Sequence, residues 1–393
     1  MVVITRNIHN TDQIVCGVGE HKLMVSDAYA IELLKKALEI YTPSKQEHEL
    51  ARLIAEKASN ELGFERVYMD DVGNIIARKG YGYPKVLLCG HMDTVPGYIP
   101  VCIENGLIYG RGASDAKAPL LSLLLAAASA RDCGTIIFAG LVDEEGNATG
   151  IKNLLKSDIE EIDDVDYAIF GEPSGIDNIT IAYKGRVALS IKCNVGNSAH
   201  ASAPMLAGNA IEEAFMLWNR MKGSLASIDK LTYCLTEISG GSSHNVTPAE
   251  CTMTIDIRVP NGMSTDKIIG IIDGVISDFN NNSKGKVNVE YSLEDKTEPF
   301  EARHDSPLVR ALVLAVIDVK HKRPMLIRKS GTGDMNILGN ALNIPVVTYG
   351  PGDAHSSHTN NEHVSIDEYT KSIEVLRRAL YHLSRLHKKM QRE

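Results

Sequence analysis

The sequence predicts an α/β fold interrupted by a smaller α+β unit, on three observations. Before about residue 185, short continuous apolar runs such as KVLLCGH and TIIFAGLVD alternate with helical stretches, the pattern of a sheet covered on both faces. From Gly185 to Val289 the order becomes strand, helix, strand, strand, helix, strand, a complete βαββαβ unit of the ferredoxin-like kind. After Pro299 helix and strand alternate again. The expected division is therefore 1–184 and 297–393 for the two parts of one domain, with 185–296 inserted between them.

The elements follow in order. Residues 1–23 have strand-like patches without a helical period, and Met24 offers a second start; this stretch is expected to be an extraneous extension. A helix runs from Ser26 through DAYAIELLKKALEIY, capped by Ser26 or Asp27, and stops at Thr42-Pro43-Ser44. A second helix is expected from a Ser44 cap, with Glu47 completing a capping box. Strands VGNIIARK and KVLLCGH, a buried helix over Pro119–Arg131, strand TIIFAGLVD, a helix over Ile151–Lys156 and strand DYAIFGE complete the first part.

The insert reads as strand RVALSIKCNV, helix Asn209–Lys222, strands LTYCLTEIS and CTMTIDIRV, helix Thr265–Phe279 and strand KVNVEYS. Beyond it come a helix from Asp305, a turn at GTGDMN, strand IPVVTYG and a helix from Ile366. The basic end of that helix, RLHKKMQR, reads as a solvated helix end.

Composition limits the function. The chain has 393 residues, 44% of them apolar, enough for a large core in two domains. A net charge of −9 supplies no broad basic field and argues against a nucleic-acid partner. The seven cysteines form no CxxC pair, the usage of a reducing cytoplasm. No apolar run reaches the roughly 18–20 residues that span a membrane, and MVVITRNIHN lacks the form of a signal peptide. A cytoplasmic protein without a membrane partner is expected.

The informative residues are nitrogen and oxygen ligands set in turns: His91 and Asp93 in CGHMDTVPG, Asp115 in YGRGASDAKAP, Glu144 and Glu145 in GLVDEEG, Glu172 in FGEPS, and His358 in YGPGDAHSSHTNN. His91, Glu144, Glu145 and Glu172 each follow a strand-like run, where ligand sites of open α/β sheets gather. Each motif alone is weak, since a lone histidine is more often a satisfied structural group and paired glutamates are usually a solvated turn. Together they form a donor set without thiolate, which suits a catalytic zinc with open positions. A bidentate Asp115 could bridge two ions, Asp93 is placed to orient His91, and of the glutamate pair one can bind metal while the other acts as base.

These motifs resemble those of the co-catalytic zinc amidohydrolases that include acetylornithine deacetylase and succinyl-diaminopimelate desuccinylase, over Met24 to the C-terminus. The resemblance implies a zinc-peptidase-like three-layer αβα catalytic domain with an inserted lid and dimerisation domain, two Zn²⁺ per subunit with Co²⁺ as an alternative, and a homodimer. It implies that His91 and Glu172 bind one zinc, Glu145 and His358 the other, and that Asp115 bridges them. Glu144 would be the general base and Asp93 the partner of His91. His355, on the same loop as His358, is left as a neighbour.

In the insert the resemblance gives His200, in GNSAHASAP, a catalytic role at the substrate carbonyl. Asn245 and Arg258 would contact substrate, with a structural salt bridge as the alternative for Arg258. Gly331 and Thr332 could present backbone N–H groups to a carboxylate. Within the family, YTPSK, HMDTVPGYI, NVTPAE and RKSGTGDMNIL resemble hydrolases that release lysine or ornithine from LysW, an acidic amino-group carrier protein. That implies a basic approach, for which Lys320, Lys322, Arg323, Arg328 and Lys329 are candidates, with a solvated helix end as the alternative. A deacylase of free N-acyl amino acids and a non-catalytic metal-binding scaffold are the competing readings.

Overall fold

The computed structural model describes residues 25–156, 162, 164–283 and 286–392; the expectation for residues 1–23 lies outside them. The chain forms two compact units, one of residues 1–181, 302–328 and 337–393, the other of 182–301 and 329–336.

The first unit begins with α1 (Asp27–Glu39), α2 (His48–Asn60), β1 (Arg66–Met69), β2 (Ile75–Lys79) and β3 (Lys85–His91). It continues through β4 (Cys102–Glu104), β5 (Leu107–Tyr109), α3 (Lys117–Ser129), β6 (Thr135–Leu141), α4 (Thr149–Lys156), β7 (Tyr167–Phe170) and β8 (Asn178–Tyr183). The second unit contributes β9 (Gly185–Asn194), α5 (Ala210–Leu225), β10 (Thr232–Gly240), β11 (Glu250–Val259), α6 (Thr265–Asn282), β12 (Asn288–Thr297) and β13 (Phe300–Glu301). The remainder is α7 (Pro307–Lys320), β14 (Met325–Lys329), α8 (Asp334–Leu342), β15 (Val346–Thr348), β16 (His363–Ser365) and α9 (Ile366–Met390).

The main sheet runs β1-β2-β6-β3-β7-β15-β8. β3 is parallel to both β6 and β7, and β7 is parallel to β15. β6, β7 and β15 are buried along their whole length, which is why they read as unbroken apolar runs and not as alternation. The three-layer α/β class follows: α3 is apolar all round and packs on β3, β6 and α9. Because β3 lies between β6 and β7, the chain leaves three adjacent strands at one edge of the sheet, with His91, the Asp143–Glu145 turn and Glu172 at their carboxyl ends.

Local signals placed several helix starts. Ser26 Oγ accepts the Tyr29 N–H, Asn209 Oδ1 accepts the Ile211 N–H, and Ser306 caps α7 with Pro307 at its first turn. The second helix departs from expectation. It starts at His48, four residues after Ser44, and Glu47 makes no capping hydrogen bond. Glu47 is buried, and its Oε1 accepts the N–H groups of Lys45 and Asp143, each at 2.9 Å. A tertiary partner took the carboxylate that a local box would have used.

The second unit is antiparallel with strand order β10-β11-β9-β12, the ferredoxin-like arrangement. Alternate residues of β9 and β11, among them Val187, Leu189, Ile191, Met253, Ile255 and Ile257, form its core beneath α5 and α6. Residues 329–336 join this unit because Thr332 Oγ1 and Asn336 Nδ2 donate to the Lys184 carbonyl at 2.8 and 3.2 Å. The GTGDMN segment is a turn only as far as Gly333, since α8 begins at Asp334. β8, in NITIAY, was not expected; it lies in the region where the two units meet in sequence.

Candidate active site

Seven of the expected site residues lie together in the first unit. His91 ends β3 and is buried. Its Nδ1 is 2.8 Å from the Asp93 backbone carbonyl, whereas the Asp93 carboxylate is 3.5 Å away. The main-chain carbonyl therefore fixes the ring with its proton on Nδ1, and Nε2 points at two carboxylates: Asp115 Oδ1 at 3.3 Å and Glu172 Oε1 at 3.4 Å. This refines the expected pairing. The Asp93 carboxylate also serves the glutamate turn. Its Oδ1 accepts the Glu144 N–H at 3.0 Å, and its Oδ2 accepts the Glu145 N–H at 3.0 Å and the Ser44 hydroxyl at 2.7 Å.

Asp115 turns its second oxygen the other way. Oδ2 is 3.4 Å from His358 Nε2, which is also 2.9 Å from Glu145 Oε1. His358 has left-handed backbone, φ 63°, in a loop that leaves β15 beside β7. Gly350 is required there, because a Cβ would fall 2.8 Å from the Glu172 carbonyl and 2.7 Å from Pro119. The Asp115–Ala116 peptide is cis.

The residues fit a pair of cations. Nitrogen and carboxylate atoms of His91, Asp115 and Glu172 lie within 4.8 Å of one another, as do those of Asp115, Glu145 and His358, so Asp115 belongs to both groups. A third group joins His91, Glu144 and Glu145. Titration points the same way. Burial alone would lower the His91 pKa, but Asp115, Asp93 and Glu172 raise it well above the ordinary histidine value. Asp115 raises His358 to about 9, against burial and with help from Glu145. Burial opposes ionisation of Asp115, yet His358 and His91 hold it below the usual carboxylate range. Burial raises Glu145, opposed chiefly by His91. Two imidazoles facing this many carboxylates act as cations by default and give way to a metal.

Glu47, Ser44 and Glu362 contribute to this framework; the sequence marked Ser44 and Glu47 only as a helix cap and did not mark Glu362. Glu362 is buried and accepts three N–H groups of the turn that carries Asp115. Its position four residues after His358, in HTNNE, was a visible signal. His355 is exposed and pairs with Asp353 at 2.9 Å.

The other expected residues belong to the second unit. The Ser202 N–H donates to His200 Nδ1 at 3.2 Å, which leaves the ring proton on Nε2. His200 pairs with Val246 in an isolated bridge, and Asn245 Oδ1 accepts from Ser243 at 2.7 Å. Arg258 forms the ion pair with Asp256 at 2.6 Å and also donates to Thr332 Oγ1 at 3.2 Å. The Gly333 N–H is taken by Asn336 Oδ1 at 3.2 Å. Of the expected cations, Lys320 and Lys322 sit 3.6 and 4.0 Å from Asp177, in the first unit.

A strand-edge cluster of histidine and carboxylate with one shared aspartate defines a metal-dependent hydrolase. Comparison agrees: residues 87–382 match the model of peptidase family M20/M25/M40. The chain belongs to that family, and it is an amidohydrolase. It is 34% identical over 340 residues to a LysW-lysine/LysW-ornithine hydrolase of Saccharolobus islandicus, covering 86% of this chain and 91% of that protein. A protein of Pyrococcus furiosus assigned to the same activity is 37% identical over 362 residues, 92% of this chain and 99% of the relative. In fold the chain resembles a tripeptidase from Staphylococcus aureus, with a TM-score of 0.78 at 21% identity over 92% of this chain and 99% of the other.

Proposed function

We propose that the protein hydrolyses the amide joining lysine or ornithine to the terminal glutamate of the acidic carrier protein LysW, in lysine and arginine biosynthesis. The observation that carries the site is the divided Asp115 carboxylate, one oxygen facing His91 and the other His358. The substrate rests on relatives of that activity spanning about nine-tenths of the chain.

In this reading His91 and Glu172 would hold one divalent ion and Glu145 and His358 a second, with Asp115 available to both. Zinc suits these donors, and cobalt is accepted by the same set. When bound, such a pair supplies Lewis acidity at the carbonyl and lowers the pKa of water. Glu144, its backbone fixed by Asp93, takes the proton of the attacking water and passes it to the departing amine. His200 offers its Nε2 proton to the carbonyl oxygen, and Asn245, Arg258, Gly331 and Thr332 contact the substrate.

The reading includes a homodimer through the second unit. There the edge strand β10 exposes Ile238, α5 exposes Phe215 and Met216, and Met205 and Leu206 are exposed in the segment before α5. It also includes a cytoplasmic location, supported by free thiols at Cys89, Cys102, Cys133, Cys193, Cys234 and Cys251. Among the described residues no helix is long and apolar enough to cross a membrane.

The test is amino-acid release by the metal-loaded enzyme from LysW bearing lysine or ornithine, beside free acetylornithine and succinyl-diaminopimelate, with Glu144→Gln as control. Release from the carrier that vanishes in the control is expected. Turnover of the free compounds alone would replace the carrier reading with a small-molecule deacylase.

A further inference from the structure

We infer that Glu362 is the positioning residue for Asp115, setting the direction of the carboxylate that the two ions share; the inference rests on the metal reading above. Glu362 is fully buried, with 0% of its surface exposed. Its Oε1 accepts the N–H groups of Gly112 at 3.1 Å, Ser114 at 3.0 Å and Asp115 at 2.9 Å. Its Oε2 accepts from Arg111 Nη1 at 2.8 Å, and Arg111 Nε in turn donates to the Gly97 carbonyl at 2.8 Å. Three amides of one turn converge on one anionic oxygen, a nest built from the residues that present Asp115. Charge-assisted bonds of this kind are roughly twice as strong as neutral ones and are directional.

The turn has little freedom to find this shape by itself. Gly112 has φ +91°, and a Cβ there would lie 2.8 Å from Lys117. The Ser114 hydroxyl donates to the Asp353 carbonyl at 3.0 Å, on the loop that leads to His358. The two ends of one segment, 353–362, thus both bond to the Asp115 turn, and the segment carries His358 between them. Asp115 and His358 are brought to a common position although 243 residues separate them in sequence, the difference of their numbers. A carboxylate shared by two ions tolerates little misdirection, and displaced supporting partners typically cost about 10–100-fold in metal affinity.

The experiment measures metal affinity, by chelator competition, and the visible spectrum of the Co²⁺-loaded protein for the native chain and Glu362→Gln, with circular dichroism of the metal-free forms. The amide keeps the volume but loses the charge and faces Arg111 with a donor. We expect a folded variant with about 10–100-fold weaker binding and an altered Co²⁺ spectrum. An unchanged affinity and spectrum would overturn the inference. If Glu362→Gln does not fold, Arg111→Met, which frees Oε2 and the Gly97 carbonyl but leaves the three amide bonds to Oε1, is judged by the same two readings: a weakened affinity supports the role and an unchanged one refutes it. A native chain that takes up no ions would sink the metal reading itself, whereas failure to turn over the carrier leaves the Glu362 result standing.

Discussion

The Asp93 carboxylate holds Glu144 by its backbone, accepting its N–H at 3.0 Å while the other oxygen accepts the N–H of Glu145. One buried side chain thus fixes the backbone of both glutamates in the turn. Burial opposes the ionisation of Asp93, but His91, Ser44 and the Glu144 amide hold its pKa below the ordinary value. Asp93→Ala should therefore release the turn and leave two amide donors unpaired. A loss of about 2–6 kcal/mol in urea unfolding is expected, one desolvation penalty for each donor, together with weaker metal binding. Ser44→Ala, which removes one hydroxyl donor, should cost about 1 kcal/mol.

Glu144→Gln should separate chemistry from binding. The amide cannot shuttle a proton, so kcat should fall by about 10²–10⁴. Metal content, measured by atomic absorption, should match that of the native protein. Loss of metal in this variant would move Glu144 into the ligand set, as its grouping with His91 and Glu145 allows.

Glu47 acts across the fold and not as part of a capping box. Its acceptor oxygen serves Lys45 and Asp143, and burial raises its pKa. Glu47→Gln keeps an acceptor and removes a charge that is costly to bury, so its stability should stay within about 1 kcal/mol of native. Glu47→Ala strands the Asp143 N–H and should cost about 1–3 kcal/mol, with kcat lowered through the displaced turn. Equal effects of the two changes, by denaturation, would place the role elsewhere.

Metal binding should release protons and tighten as pH rises. In the metal-free protein His358 titrates near 9, raised chiefly by Asp115. A raised histidine contributes stability that is fully present below its unfolded value of about 6.5 and is lost as pH rises through about 9. The metal-free melting temperature should therefore fall across that window through this group. The metal-loaded protein should behave oppositely, since the ion no longer competes with a proton. Calorimetry in buffers of different ionisation enthalpy measures the release; a proton count near zero at about pH 7 would refute histidine ligation.

Much of this was legible in the chain because the ligands sit at ends of apolar runs. His91 closes β3 and Glu172 follows β7, and strand ends are set by local pattern. The βαββαβ order of the insert was readable for the same reason: its alternation has period two in β9 and β11. Short elements escaped. β4, β5 and β16 have three residues each, too few to display a period.

The sequence by itself determined the residue types of the site, their places at strand ends and turns, and the α/β chain with its α+β insertion. Only the tertiary structure decided which atom does what. It set His91 Nδ1 closer to the Asp93 carbonyl than to the Asp93 carboxylate, took Glu47 away from its helix, and set Glu362 beneath the Asp115 turn. The physical reason is the same in each case. A buried carboxylate must be satisfied by whatever donors converge on it in space. For Asp93, Glu47 and Glu362 those donors lie 51, 96 and 247 residues away along the chain.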